Sequence, residues 1–482
     1  MTHAIAQTNP YSPVTQQIAD ELRQIVGEKF VIFNDAEKLE PFSHDEVAEK
    51  EYAHMPEAVV RPSSAEQIAA IMKLANRCRV PVTPRGAGSG LSGGAVPLCG
   101  GIVLLCDRMN RILEIDPLNM VAVVEPGVVT NEINEVAAPH GLFYAGYPMS
   151  LETCYIGGNV AENAGGGKAV KYGVTGRYVL GLDLVTPTGE FVSLGGKLVK
   201  NVTGYDLISL MVGSEGTLGV FTRIIVKLLP LPTHSVDLLA LFRSAEDAVA
   251  AVPKIMTGGI IPTSIEFMDQ TSIRAACKYV NETIPYHQAG PQGAALLITV
   301  EGSESDRVEH EYEDIGEQCM ACGAVEVFVA DNATTSERVW RVRRNIGEAF
   351  NIVSRNQSGE DIVVPPAAIG QMAAKLRELA ARYDVTIPCF GHAGDGNLHA
   401  RIVMNPSWPL DKWRATLPQI HNELYALTAS LGGRISGEHG IGHKRKAYLP
   451  LVVSQPYIEM LKSIKRSLDP NNILNPGKIF DL

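Results

Sequence analysis

Residues 84–97, PRGAGSGLSGGAVP, constrain this chain more than any other stretch. They hold Gly86, Gly88, Gly90, Gly93 and Gly94 with Ser89 and Ser92, and no acidic side chain. Glycine admits positive φ and lets a ligand approach the main chain with no Cβ in the way. Successive N–H groups on such a loop form a concave nest for an anion, typically a phosphate. A flexible Gly/Ser linker is the plain alternative. Apolar runs on either side, Val80 to Thr83 and Gly101 to Cys106, argue instead for a loop held between two strands. A dinucleotide fingerprint of the Rossmann type opens a helix inside a βαβ unit, with an acid roughly 20 positions on. Here the loop runs into a second strand, which argues against that site.

Composition narrows the class. At 482 residues the chain exceeds one ordinary domain, and 45% hydrophobic against 20% charged residues leaves ample material for cores. The net charge of −11, with no basic cluster, speaks against a nucleic-acid partner. No apolar run approaches the roughly 20 residues that span a bilayer. The start, MTHAIAQTNPYSPV, has neither the basic opening nor the apolar centre of a secretory signal. The expectation is a cytoplasmic protein, docked at a membrane only through a partner. Cys78, Cys106 and Cys389 sit singly in apolar runs and read as buried thiols. Cys319 and Cys322 form one CxxC, but no second pair completes a zinc ribbon, and the pair closes a helix rather than opening one.

Taken in order, residues 12–26 read as a helix with Ser12 as N-cap, Pro13 at N1 and Gly27 as stop. Ala58 to Arg61 is a short strand, and Ser63-Ser64-Ala65-Glu66 reads as a capping box before a helix to Arg79. Met120 to Glu125 alternates as a strand, Thr130 caps a short helix ending at Gly141, and Val185 to Phe191 turns a hairpin. Val220 to Leu228 is a further strand. Pro230-Leu231-Pro232-Thr233 is the clearest boundary, a stiff extended connector. Beyond it the order is strand 235–242, helix 244–256, strand 263–268, strand 294–301, helix 304–322 and strand 324–330. That order suggests a ferredoxin-like unit on an antiparallel sheet. Helix 335–350, strand 361–364, helix 366–382 and strand 385–390 follow.

Two further motifs carry chemistry. Residues 391–399, GHAGDGNLH, place His392 and His399 on either side of a turn at Gly394-Asp395-Gly396, so both imidazoles can face one point. Residues 436–443, SGEHGIGH, add Glu438 and His439. Two histidines and a carboxylate with an open position suit a divalent ion such as Zn²⁺, Fe²⁺ or Mn²⁺. Histidines in loops are also common as plain surface or hydrogen-bonding groups, so spacing alone leaves both readings open.

A second glycine-rich run, GYPMSLETCYIGGNVAENAGGGKAVKYG at 146–173, and VGSEGTLGVF at 212–221 complete the pattern. With these motifs the chain, from about Pro56 to Phe480, resembles the FAD-linked oxidases of the vanillyl-alcohol oxidase type. It is most similar to the D-2-hydroxyacid dehydrogenase branch, with D-lactate dehydrogenases and glycolate oxidase flavin subunits. The resemblance implies an α+β fold: a two-part FAD-binding domain of the PCMH type and a cap domain with a ferredoxin-like antiparallel sheet. The expected limits are 1–230 for the FAD domain, 231–455 for the substrate domain with its metal site, and 456–482 for a tail returning to the flavin.

Carried over residue by residue, the resemblance implies that Pro84, Arg85, Gly86, Ala87, Gly88, Ser89 and Gly93 surround the FAD pyrophosphate. Pro148, Met149, Gly157, Gly158, Ala161, Asn163, Gly165 and Gly166 would line the isoalloxazine and ribityl chain. Glu215, Gly219 and Val220 would lie towards the adenine, and Asn475 would come from the tail. With no histidine or cysteine in the pyrophosphate loop, the FAD is expected to be non-covalent. His392, His399 and Glu438 would bind the metal, His439 would be the catalytic base, Arg343 would clamp a substrate carboxylate, and Asn397 would be a further substrate contact. The D-2-hydroxyglutarate enzymes carry a lysine where this chain has Gly359, which favours D-lactate or glycolate. Without haem or iron–sulfur motifs, electrons must leave to a partner, an iron–sulfur subunit or electron-transfer flavoprotein, or to a quinone or oxygen. The alternatives are a flavin-carrying electron-transfer subunit without substrate chemistry and an alkyl-glycerone-phosphate synthase-like enzyme. The histidine motifs favour the dehydrogenase.

Overall fold

The computed structural model describes residues 10–47, 52–146, 148–286 and 293–482; the first nine residues of the N-terminal reading lie outside them. The glycine loop leaves a four-stranded sheet ordered Val31–Phe33, Ala58–Val60, Ile102–Leu105, Val82–Arg85. The strands either side of the loop, Val82–Arg85 and Ile102–Leu105, pair in parallel, which forces the chain between them to cross the sheet edge. Ala58–Val60 and Ile102–Leu105 are buried at every position, as expected of strands covered on both faces. Helices Gln16–Val26 and Ala65–Cys78 supply one of those covers, packing Leu22, Ile68, Ile71 and Met72 into the same core.

A second sheet is antiparallel and ordered Ile112–Asp116, Val121–Val124, Val220–Lys227, Val179–Val185, Phe191–Gly195. The hairpin between Val179–Val185 and Phe191–Gly195 closes at Thr186–Glu190, where the backbone N of Thr186 donates to the Glu190 carbonyl at 2.9 Å. Leu229–Pro230 pairs with Leu142–Phe143 at the connector before the chain enters the third sheet.

That third sheet has seven antiparallel strands: Ala324–Ala330, His234–Phe242, Ala294–Gly302, Ser264–Asp269, Cys389–His392, Asn397–Val403 and Gln357–Val363. The first four have the ferredoxin-like order, with helices Ala245–Thr257 and Ser305–Ala321 contributing to one core beneath them. The last three extend the sheet and carry both the histidine hairpin and the strand that faces it. The tail comes home: helix Gln455–Leu468 leads to Ile473 and Leu474, both fully buried in the core of the first sheet. Val82 N donates to Ile473 O at 2.7 Å and Asn475 N to Val82 O at 2.7 Å, so the tail adds a parallel bridge to the strand that opens the glycine loop.

Several local expectations are corrected. The first helix begins at Gln16, and Thr15, not Ser12, is its N-cap, accepting from Ile18 N at 3.3 Å. The capping box uses Ser64 and Gln67 rather than Glu66; Ser64 Oγ accepts from Gln67 N, and the Gln67 amide oxygen accepts from Ser63 N at 2.7 Å. Thr130 is the first helical residue, not the cap, because its hydroxyl is turned to Cys154 O. The helix expected over 335–350 breaks at Asn345 into Ala333–Arg344 and Ile346–Ala349, and the strand expected over 385–390 occupies Cys389–His392. The strand expected over 361–364 begins earlier, at Gln357, and helices Gln270–Val280 and Leu410–Ser430 stand where no element was expected. Among the described residues no helix is long and apolar enough to cross a membrane.

Candidate active site

A deep cleft runs between the first two sheets to the edge of the third. Pro84, Arg85, Gly86, Ala87, Gly88 and Ser89 line it from the first loop, and Pro148, Met149, Gly157, Gly158, Ala161 and Gly165 from the second. Glu215, Gly219, Val220 and Asn475 complete the wall, and Glu438 and His439 close one end. Gly158 has no atom within 4 Å of an added Cβ, so any side chain there would project into the open cleft. The Nδ2 of Asn475 donates to Gly94 O and Glu215 O while its Oδ1 stays buried and unpartnered. A glycine-walled cleft whose loop N–H groups can meet phosphates, and whose orphaned Asn475 amide oxygen can accept from a ring N–H or a sugar hydroxyl, fits a long planar cofactor.

Three of the expected cofactor residues lie off the wall, each for a visible reason. Gly93 N–H donates to Asp45 Oδ2 at 2.8 Å, so a side-chain carboxylate already fills that part of the nest. Asn163 terminates helix Ile156–Glu162 in the left-handed region at φ 52°, and its Oδ1 accepts from Gly176 N at 2.8 Å. Gly166 turns the chain towards Ala169, whose N–H its carbonyl accepts at 2.9 Å. Arg85 does reach the wall, yet its Nη1 is tied to His44 O at 2.8 Å, so it braces the loop. Glu215 has a second task that the sequence did not disclose: its carboxylate accepts from Ile441 N at 2.7 Å and Gly442 N at 2.6 Å, fastening the SGEHGIGH loop to the FAD side. Two thiols, Cys106 and Cys154, also line the cleft; burial pushes Cys106 up to about 12, so it stays a neutral thiol.

At the closed end the histidine motifs meet. Glu438 Oε1 lies 3.7 Å from His392 Nε2, 3.4 Å from His399 Nε2 and 3.4 Å from His439 Nε2. Strands Cys389–His392 and Asn397–Val403 form the hairpin that aims His392 and His399 together, their rings 5.3 Å apart and edge-on. His399 and His439 stack in parallel at 5.5 Å. His392 Nδ1 is bonded to Glu266 Oε1 at 2.7 Å, which leaves its buried Nε2 unpartnered and pointing at Glu438. A carboxylate holding the far nitrogen of a histidine is the usual support of a metal-binding imidazole. Burial works to raise the Glu438 carboxyl, but His392 and His439 outweigh it and hold it well below the usual range. Burial drives His399 down to about 3 despite Glu438, so this ring is neutral with a lone pair to offer.

Asp361 stands within the same cluster, its ligand atom less than 4.8 Å from those of His399, Glu438 and His439. Its oxygens are already taken. Asp361 Oδ2 accepts from Ser436 Oγ and from the backbone N of Gly437, Glu438 and His439 at 2.7–3.0 Å, and Oδ1 accepts from Asn397 Nδ2 at 2.7 Å. Asp361 therefore shapes the loop that presents Glu438 and His439. Asn397 braces Asp361 with one donor and Ile362 O with the other, so only its unpartnered Oδ1 faces anything else. Arg343 is buried, and its Nε donates to Glu266 Oε2 at 2.7 Å with Nη2 2.5 Å from the same oxygen. A full bidentate clamp on a substrate is thus closed to it on that edge. Glu266 and Asp361 are two buried acids that hold the expected site residues in place and that sequence reasoning passed over. A partial signal was present: Glu266 stands between Ile265 and Phe267, and Asp361 runs directly into Ile362-Val363-Val364, so each acid adjoins residues bound for a core, where burial demands partners.

Neighbouring folds place this architecture. p-Cresol methylhydroxylase superposes with a TM-score of 0.79 over 97% of this chain and 98% of its own at 19% identity. The 4-ethylphenol oxidase of Gulosibacter chungangensis gives 0.77 over 96% and 97%, also at 19%. The fold is therefore that of the PCMH-type flavin oxidases, α+β with an FAD-binding part and a cap. Two family models match, the FAD binding domain over residues 56–195 and the C-terminal domain of FAD linked oxidases over residues 231–479. The glycolate oxidase subunit GlcD of Bacillus subtilis is 38% identical over 97% of both chains, and the D-lactate dehydrogenase of Anaerostipes hadrus 36% identical over 97% of this chain and 98% of its own. A D-2-hydroxyglutarate dehydrogenase of Stutzerimonas stutzeri is 33% identical over 96% of this chain and 98% of its own. The chain belongs to the FAD-linked oxidases, in the branch that holds the glycolate oxidase flavin subunits and D-lactate dehydrogenases, and it is an FAD-linked oxidoreductase.

Proposed function

We propose that the protein oxidises a D-2-hydroxy acid to the 2-keto acid, with D-lactate and glycolate as the first substrates to try. The carrying observation is the convergence of His392, His399, His439 and Glu438 at the end of the glycine-walled cleft. When bound, non-covalent FAD supplies at its N5 the acceptor for the hydride lost from the substrate α-carbon. His392, His399 and Glu438 have the donor chemistry to hold one divalent ion (Zn²⁺, Fe²⁺ or Mn²⁺), which would supply positive charge that lowers the substrate hydroxyl pKa. His439, whose Nδ1 is buried and unpartnered, takes the hydroxyl proton. Asp361 holds the backbone of His439 in place, and Glu266 fixes the tautomer of His392. Arg343 meets the substrate carboxylate through Nη1, the edge that Glu266 leaves open. Electrons then pass to a partner protein, of the iron–sulfur or electron-transfer flavoprotein kind, or to a quinone.

Anaerobic bleaching of the oxidised-flavin band tests this. D-Lactate or glycolate should bleach the protein, L-lactate should not, and chelation or His439→Ala should abolish the effect without releasing flavin. A flavin-loaded protein that no 2-hydroxy acid reduces would point to an electron carrier without its own substrate chemistry. Flavin that stays with the chain after denaturation would overturn the non-covalent assignment.

A further inference from the structure

One acid on the cleft wall has an oxygen that no donor meets. Glu162 ends helix Ile156–Glu162 and lines the cleft beside Gly158 and Ala161. Its side chain is half-buried, but Oε2 is closed off from solvent and has no hydrogen-bond partner. Two glycines from different loops leave room for the carboxyl. A Cβ on Gly94 would lie 2.7 Å from Oε1, and one on Gly440 would collide with Oε2. Oε2 is thus turned against the histidine loop, and Oε1 is left on the side of the glycine loop. The same Cβ on Gly440 would lie 3.0 Å from Glu215 Oε1, so the two carboxyls converge on one point. Glu215 accepts there from Ile441 N and Gly442 N, which suits a carboxylate. The nearby cations are spent elsewhere, Arg445 Nη1 on Gly440 O at 3.2 Å and Lys478 Nζ on Val96 O at 2.6 Å. Burial pushes Glu162 well above the usual carboxyl range, Glu215 and Asp45 add to the rise, and Arg445 and Lys478 only moderate it. Burial raises Glu215 as well, but its two N–H donors pull it back, so the proton belongs to Glu162.

We propose that Glu162 is a further cofactor-binding residue, whose carboxyl O–H donates a hydrogen bond through Oε1 to an acceptor on the flavin ring. The carboxyl abuts Gly440, the residue after His439, so it stands at the closed end of the cleft. This role rests on the proposed function only in placing the flavin ring at that end; the identity of the substrate does not enter. A neutral acid can do there what a carboxylate cannot. It donates to a ring oxygen or nitrogen, and the bond strengthens as reduction puts negative charge on the ring. Hydrogen bonds to the ring are among the means by which a protein tunes a flavin. A carboxylate in the same place would repel that charge. Glu162 therefore favours the reduced flavin and raises its potential.

The test uses flavin-loaded wild type, Glu162→Gln and Glu162→Ala, reduced at an electrode without substrate. The infrared difference between reduced and oxidised wild type should hold the C=O band of a protonated carboxyl, and Glu162→Gln should lose it. Midpoint potentials should follow the donated bond. Glu162→Gln keeps an uncharged donor and should match wild type, whereas Glu162→Ala should fall below it. Flavin released on dilution should rise about 3- to 10-fold in Glu162→Ala alone, the range for one hydrogen bond. A potential that rises in both variants would mark Glu162 as an anion and overturn the assignment. Equal falls in both, no change in either, or a wild-type spectrum without the band would overturn it too. If Glu162→Ala does not hold flavin, Glu162→Gln decides: loss of the band at an unchanged potential supports the assignment, and a band that persists overturns it. No readout uses a substrate, so failure of every 2-hydroxy acid to reduce the protein would sink the proposed function and leave this role standing.

Discussion

Glu266 is fully buried between Arg343 and His392, bonded to each through a different oxygen. Burial works to raise its carboxyl, but Arg343 and His392 outweigh it and hold it below the usual range. His392 moves the other way: burial opposes its charge, yet Glu266 and Glu438 raise it well above the ordinary histidine value. The signs define a window. The lowered carboxyl stabilises the fold fully above the unfolded value of about 4.3, and that contribution is lost as pH falls below it. The raised imidazole stabilises fully below about 6.5 and loses its contribution as pH climbs through its higher folded value. Glu266→Gln should therefore cost about 3–5 kcal/mol near neutrality, the penalty for leaving buried cations without their partner. The gap to wild type should narrow as pH drops below about 4. Denaturant unfolding of chelator-treated protein at several pH values measures this. Equal midpoints at neutral pH would mean that the pair does no more than orient His392.

At the scale of elements, the tail does the work of a strand. Leu474 is fully buried under the strand that launches the glycine loop, and Lys465, also buried, spends its ammonium on Asp469 Oδ2 and the carbonyls of Thr217 and Leu474. Leu474→Ala should cost about 2–5 kcal/mol through the cavity it leaves. Because Asn475 is next in line on the cleft wall, the variant should also release FAD more readily, read as flavin fluorescence appearing in the filtrate. Unchanged retention would separate the tail's packing role from the cleft.

Much of this architecture is legible in the chain. The strands of the ferredoxin-like unit show as apolar runs that stop at polar or turn residues such as Arg243-Ser244, Asp269, Gly302-Ser303 and Asp331-Asn332, and the turn GDG lets His392 and His399 face one point. Helix Gln270–Val280 is not, because it is short and starts directly from the strand before it. Leu410–Ser430 hides for another reason: Pro418 lies inside it, a residue that ordinarily ends a helix. Nor can spacing reveal that Asp361 will organise a loop 75 to 78 residues further on. The partners of a buried acid are chosen by tertiary packing, so the sequence marks the acid and withholds what it holds.

Over the whole molecule, the two halves are fastened beside the site. Glu301, at the end of a cap strand, takes Lys168 Nζ at 3.1 Å and Tyr172 OH at 2.6 Å, while its backbone carbonyl accepts from Lys171 Nζ at 2.8 Å. The three partners lie around the short helix Ala169–Tyr172 of the FAD side. The chain just before it brings Gly165 within 3.1 Å of Glu438 and Gly167 within 3.3 Å of Glu266, measured from an added Cβ. Glu438 and Glu266 of the cap are thus packed against backbone of the FAD side, and the latch at Glu301 holds that register. Burial and the Glu301 charge together push the Tyr172 hydroxyl up, so it remains a donor across the working pH range. A chain of this size can unfold in more than one step, and coincidence of different probes is the test of coupling. In wild type, flavin release and loss of far-ultraviolet dichroism should share one denaturant midpoint. Glu301→Ala removes the acceptor for Lys168 and Tyr172 together, so flavin release should move to lower denaturant while the dichroism follows at or near its original position. Coincident curves in the variant would show that apolar packing alone couples the halves, and that the latch only sets how closely Glu438 and Glu266 approach the flavin side.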